Sequence, residues 1–187
     1  MSQDTRELAM VLHDRFRETT RLQELKHKAV TYLFKLFEDV LNEMRRDLAG
    51  LGGDPGVVKF YRAPEENYIV LKIGNALTTV YALEKVGLCP VQMDGSSGLC
   101  ARVIVFNGDY RNLEVEDEDQ LAAIEEDSLF IFSEGASSSN VLLFHIVHPV
   151  GLHATDWNRF VLLTLTALSQ KSDSHYSPML DQIINRH

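Results

Sequence analysis

An α+β fold is what this sequence predicts: a single mainly antiparallel six- to seven-stranded sheet covered on one face by a long N-terminal helix and a C-terminal helix. Three observations carry that expectation. A helical apolar period runs from Thr20 to Ala49, the period changes to two after a glycine-rich turn at residues 50–56, and a second dense apolar run starts at Trp157.

The first helix is the clearest element. Leu22, Leu25, Ala29, Leu33, Leu36 and Val40 fall on one stripe, and Val30, Phe34, Phe37, Leu41, Met44 and Leu48 on a second beside it, so that about half the circumference is apolar. Thr31, Lys35, Glu38, Asn42 and Arg45 line the other side. The same frame reaches back through Leu8, Val11, Leu12 and Phe16. One helix from about Thr5, with Asp4 and Glu7 as a capping box, fits the pattern; so does a break at Thr19 and Thr20, where Thr20 and Gln23 offer a second box. Gly50 suits a left-handed closing residue, and Pro55 prevents resumption. An unbroken helix would outreach a compact domain of this size, which points to a partner chain.

Beyond the turn, residues 57–62, 68–73 and 77–83 alternate as strands joined at Ala63-Pro64-Glu65-Glu66 and Gly74-Asn75. Ile69, Leu71 and Ile73 make a dry face, the natural seat for the helix. Residues 86–100 lack any period and form a long loop, the first place to seek a ligand or partner contact. Strands follow at 102–106, 113–116, 128–133 and 141–147, with Asn107-Gly108 as a hairpin signal and the 113–116 strand as a charged edge. Thr155 as cap and Asp156 in the first turn open a helix carrying Trp157, Phe160, Val161, Leu162, Leu163, Leu165 and Leu168, apolar around most of its surface, and Ser177-Pro178 starts a short last helix. The division expected is a helical arm, 1–50, and a sheet domain with C-terminal helices, 51–187.

Charge narrows the function classes. Residues 1–50 hold nine bases and nine acids, whereas 51–187 hold nine bases and eighteen acids. That balance opposes binding to nucleic acid or to an anionic membrane surface, both of which need clustered Lys and Arg. No run of apolar residues reads as a signal peptide or a bilayer crossing, and Cys89 and Cys100 suit a reducing compartment, so the expected location is cytoplasmic.

No motif names a reaction. The 50–56 turn follows a helix and precedes a strand, the reverse of a phosphate loop, and Gly95-Ser96-Ser97-Gly98 is not a nucleophile elbow. His145 and His148 differ by an odd number along a strand and so leave opposite faces, while His153 lies in a loop, which argues against a shared metal. Between Arg111 and Arg159 there is no Lys or Arg, and acids accumulate without calcium-loop spacing; a helix capped by Asp117 or Asp119 accounts for some of them.

The reading that results is a non-catalytic interaction or regulatory protein with no cofactor and no metal. It would act as a homodimer through Phe37, Leu41, Met44 and Leu48, and meet a basic protein partner through Glu114, Glu116, Glu118, Asp119, Glu125 and Glu126. The alternative is a small-molecule-binding domain or enzyme with a pocket between sheet and helices near the 86–100 loop.

Overall fold

In a computed structural model, which describes residues 3–63, 65–84, 98–115, 117–135, 139–147 and 151–172, the chain forms one seven-stranded sheet with strands in sequence order. The strands are β1 (Val58–Tyr61), β2 (Tyr68–Ile73), β3 (Ala76–Ala82), β4 (Leu99–Asn107), β5 (Asp127–Ser133), β6 (Val141–Val147) and β7 (Gly151–Thr155). Every neighbour pair is antiparallel. Helices α1 (Gln3–Gly50) and α3 (Trp157–Ser172) lie on one face, here called the inner one, while the connection holding α2 (Glu118–Ala123) crosses the other.

Helix α1 is unbroken over its 48 residues. The two threonines that could have capped a second helix instead bond backwards: Thr19 Oγ1 donates to the Arg15 carbonyl at 2.9 Å and Thr20 Oγ1 to the Phe16 carbonyl at 3.0 Å. A threonine hydroxyl so used satisfies itself inside a helix and leaves the backbone ladder intact. Asp4 is a helical residue and not a cap, since the helix already runs from Gln3. Its end is a Schellman closure two residues later than Gly50. The Gly53 amide donates to the Leu48 carbonyl at 2.8 Å, the Gly52 amide donates to the Ala49 carbonyl at 3.1 Å, and Gly52 takes the positive φ, 78°.

Leu33, Phe34, Phe37 and Leu41 of α1 are fully buried against Ile69, Leu71, Val80, Val103, Leu129 and Ile131 of the inner face. Side chains of this size contribute about 1.5–3 kcal/mol each when taken out of water, so this face is the main stabilising contact of the domain. From α3, Phe160, Val161, Leu165 and Leu168 join the same core, with Phe37 and Phe160 edge to face at 6.4 Å. Asp156, expected in the first turn of α3, is its cap and accepts from the Arg159 amide at 2.9 Å, while Thr155, the residue expected to cap, is the last of β7. Leu162 remains 43% exposed, so α3 is covered on one side and not surrounded.

Two strand assignments exchange places. Residues 113–115 are not a strand; Leu113 and Val115 pack down on the outer face with Tyr110 and Leu121, and α2 follows with Asp117 as its cap, accepting from the Gln120 amide at 3.0 Å. Gly151–Thr155, expected as loop, pairs with β6 as the seventh strand. The Gly74-Asn75 turn between β2 and β3 needs glycine twice over. Its φ is +59°, and an added Cβ would lie 2.3 Å from Ser172 Oγ of α3. The final helix expected after Ser177 and the cysteine Cys89 lie outside the described residues; Cys100 is buried.

Candidate functional site

The sheet holds only part of α1. Among the described residues contact with the sheet begins at Arg21, its Nη1 donating to Ser133 Oγ at 2.9 Å at the end of β5, and Leu22 packs onto the core beside it. Upstream, Gln3–Thr20 project past the sheet by about 27 Å at 1.5 Å per residue. On this overhang Leu8 is 60% exposed, Val11 50%, Leu12 45% and Phe16 71%. At 100° per residue these four span an arc of about 140°, and that arc coincides with the one on which Leu25, Ala29, Leu33, Phe37 and Leu41 are buried. Met10, 61% exposed, lies on the opposite side. The helix therefore continues one apolar face past the limit of what its own sheet covers.

The residues assigned to a dimer interface lie elsewhere. Phe37 and Leu41 are fully buried in the core of their own chain, and Met44 and Leu48 pack partly buried against it. The inner face of the sheet already occupies the surface they would offer a second copy. Amphipathic period marks which side of a helix is covered and is silent on what covers it, so the exposed residues of the stripe are Leu8, Val11, Leu12 and Phe16.

The acidic segment is largely consumed internally. Both Glu125 oxygens accept from Arg102 Nη2 at 2.6 Å, and one also accepts from Ser128 Oγ at 2.7 Å. The Arg102 guanidinium sits 5.4 Å over the Phe130 ring. Glu126 pairs with Lys171 of α3 and with Asn107, and Glu118 accepts from the Glu84 amide. Glu114 and Asp119 are exposed, and Glu116 lies outside the described residues. Thus three of the six carboxylates proposed to meet a partner brace the outer connection or its junction with α3.

Above the outer face, Tyr81, Glu84, Tyr110, Val115, Asp117, Glu118 and Leu121 line a hollow of about 240 Å³. It opens on the side away from α1 and α3, not between them and the sheet, and residues 86–97 of the expected loop lie outside the described residues. Tyr68, Tyr81 and Tyr110 cluster beneath it with ring centroids 4.6–6.3 Å apart. Burial, more than any charge, pushes the Tyr68 and Tyr81 hydroxyls above the ordinary tyrosine range. At the flank Arg111 stacks 4.2 Å over Tyr61 and bonds Asp109, whose carboxyl it holds below the usual value. Lys26 of α1 donates to the Leu83 and Glu84 carbonyls, and burial lowers its ammonium from the usual lysine range.

His145 is buried on the inner face, its Nε2 against Asp127 Oδ1 and its ring edge to face with Phe160. His153 is its register partner on β7 and shares that face, while His148 lies outside the described residues. No three metal-ligating side chains converge among the described residues. The Asp127–His145 contact is made by β5–β6 register across eighteen positions, which is why no sequence motif announces it.

Fold and surface together define a class: an α+β protein built on an open antiparallel meander, with one helix overrunning it. Comparison with family models, curated proteins and solved structures finds no match to the chain. No helix among the described residues is long and apolar enough to cross a membrane.

Proposed function

We propose that this is a non-catalytic assembly protein, a sheet domain whose overhanging helical arm pairs with the arm of a second copy. The observation that supports the reading is the bare stripe of Leu8, Val11, Leu12 and Phe16, a contiguous apolar surface rimmed by charge on an otherwise ordinary exterior. Eight such side chains in a pair would release at most about 12–24 kcal/mol, an upper bound because a two-helix contact covers each only in part. Association costs about 4–15 kcal/mol. The balance is modest, so the dimer should depend on concentration, as befits a regulatory contact. Contact with a basic protein, the other half of this reading, rests on Glu114 and Asp119, the exposed members of the acidic set.

Light scattering across a concentration series tests it. The wild-type chain should pass from monomer to dimer in the micromolar range, and Leu12→Lys with Phe16→Lys should stay monomeric with an unchanged melting temperature at low concentration. A wild-type chain that stays monomeric at high concentration would sink the proposal.

A second reading, ligand binding, is favoured by the tyrosine-lined hollow. Its volume of about 240 Å³ falls below the roughly 300–1,000 Å³ usual for small-molecule sites, which makes it the subordinate reading. A metabolite that raises the melting point of the wild type but not of Tyr110→Ala would reverse that order.

A further inference from the structure

We infer that the second copy lies antiparallel on the arm, centred on Leu12, with its own arm filling the layer that the sheet occupies from Leu22 onward. This rests on the self-association proposed above and adds its geometry.

Two independent observations give the same orientation, and the second gives the centre. The first is steric. The stripe on Gln3–Thr20 faces the same way as the part of α1 that carries the sheet, so a partner laid on the stripe is heading for that sheet. In a parallel pair each helix would bring its own sheet into the gap between them from residue 21 on, and a separation of about 8–10 Å between helix axes has no room for two sheets. In an antiparallel pair each arm instead runs alongside the other arm and away from its own sheet, whose contact with the helix is made from Arg21 onward at Ser133.

The second observation is the chemistry of the stripe. Antiparallel pairing about Leu12 sets Leu8 against Phe16 and Leu12 against itself, so three of the four exposed apolar residues of the stripe come level with another. Arg15 is the one cation within the arc. In an in-register parallel pair it would face its own copy. In the antiparallel pair it comes level, within about two residues or 3 Å along the axis, with Glu7 on the same flank, and the twofold makes that contact twice. Shape and charge thus select the same orientation, and the spacing of the stripe sets the register.

Cysteine cross-linking reads that register directly, in a chain carrying Cys89→Ser and Cys100→Ala. Leu12→Cys should oxidise to a covalent dimer. Leu8→Cys alone and Phe16→Cys alone should not, because residue 8 of one copy lies about 12 Å along the axis from residue 8 of the other, beyond disulfide reach. Mixing those two variants should give the cross-linked heterodimer. Self-linking of Leu8→Cys and of Phe16→Cys, with no excess of the mixed product, would overturn the antiparallel arrangement. Light scattering on the uncross-linked samples separates the two failures: a dimer with the wrong links removes only the geometry, whereas a monomer removes the self-association with it and assigns the stripe to another occupant.

Discussion

Residues 3–20 and 25–48 of α1 belong to one unbroken helix and repeat one apolar arc, yet Phe37 is fully buried and Phe16 is 71% exposed. The difference lies in the sheet. Its strand ends fix a line at Ser133, and the helix runs on past it. Most helical stability in water comes from such packing and little from propensity, so the two halves should differ sharply in energy while sharing a conformation.

The largest contrast expected is between the two phenylalanines. Phe37→Ala should cost about 3–5 kcal/mol in denaturant unfolding, whereas Phe16→Ala should stay within ~0.5 kcal/mol at monomer concentrations and weaken only the dimer. Equal costs would erase the boundary at Arg21. Hydrogen exchange should place the same line residue by residue, with amides of 5–18 exchanging at least ~100-fold faster than those of 29–41 in dilute protein and slowing as concentration rises. Uniform protection at all concentrations would mean that the arm is covered within the single chain.

A third test separates the sheet from the arm by pH. The folded-state values of Tyr68 and Tyr81 are raised, so the unfolded chain loses those protons first, near the ordinary value of 10. The folded state then binds more protons than the unfolded one, and stability must fall as pH climbs past that value. The melting temperature should drop between pH 9 and 11, by less in Tyr68→Phe with Tyr81→Phe, with no change in the dimer's cross-linking pattern below pH 9. The smallest effect belongs to the boundary residue: Arg21→Ala removes a half-buried ion pair with Glu18 and a hydrogen bond to Ser133 and should cost about 1 kcal/mol, while extending fast exchange a turn toward Leu25.

Much of the fold was legible because its elements are periodic. Ile69, Leu71 and Ile73 identify the face that receives α1, and the long helix announces itself over a dozen apolar positions. Where a residue type has two physical uses the sequence was ambiguous, as with Thr19 and Thr20, whose hydroxyls can cap a helix or bond back within one. Residues 113–116 alternate like a strand, yet Leu113 and Val115 point down to Tyr110 and Leu121 with no neighbour to pair with. The five residues of β7 were too few to show a period.

Site features were far less visible, since they arise from register and reach. The tyrosine cluster draws on positions 68, 81 and 110, the Asp127–His145 contact joins adjacent strands, and the bare stripe exists only because the sheet stops at Ser133. Periodicity marked Leu8 and Leu41 alike, and nothing local distinguishes them.

The order of elements also has a consequence in time. Helix α1 precedes every strand, and its buried arc is completed only when α3 has been made, more than a hundred residues later. At about 5–20 residues per second, the ribosome leaves that arc open to water on the order of ten seconds. During that interval Leu33 and Phe37 are as available as Leu12 and Phe16, so a nascent chain offers neighbours a longer sticky rod than the finished molecule does. Once the meander closes on the distal half, only the proximal half stays open to a partner.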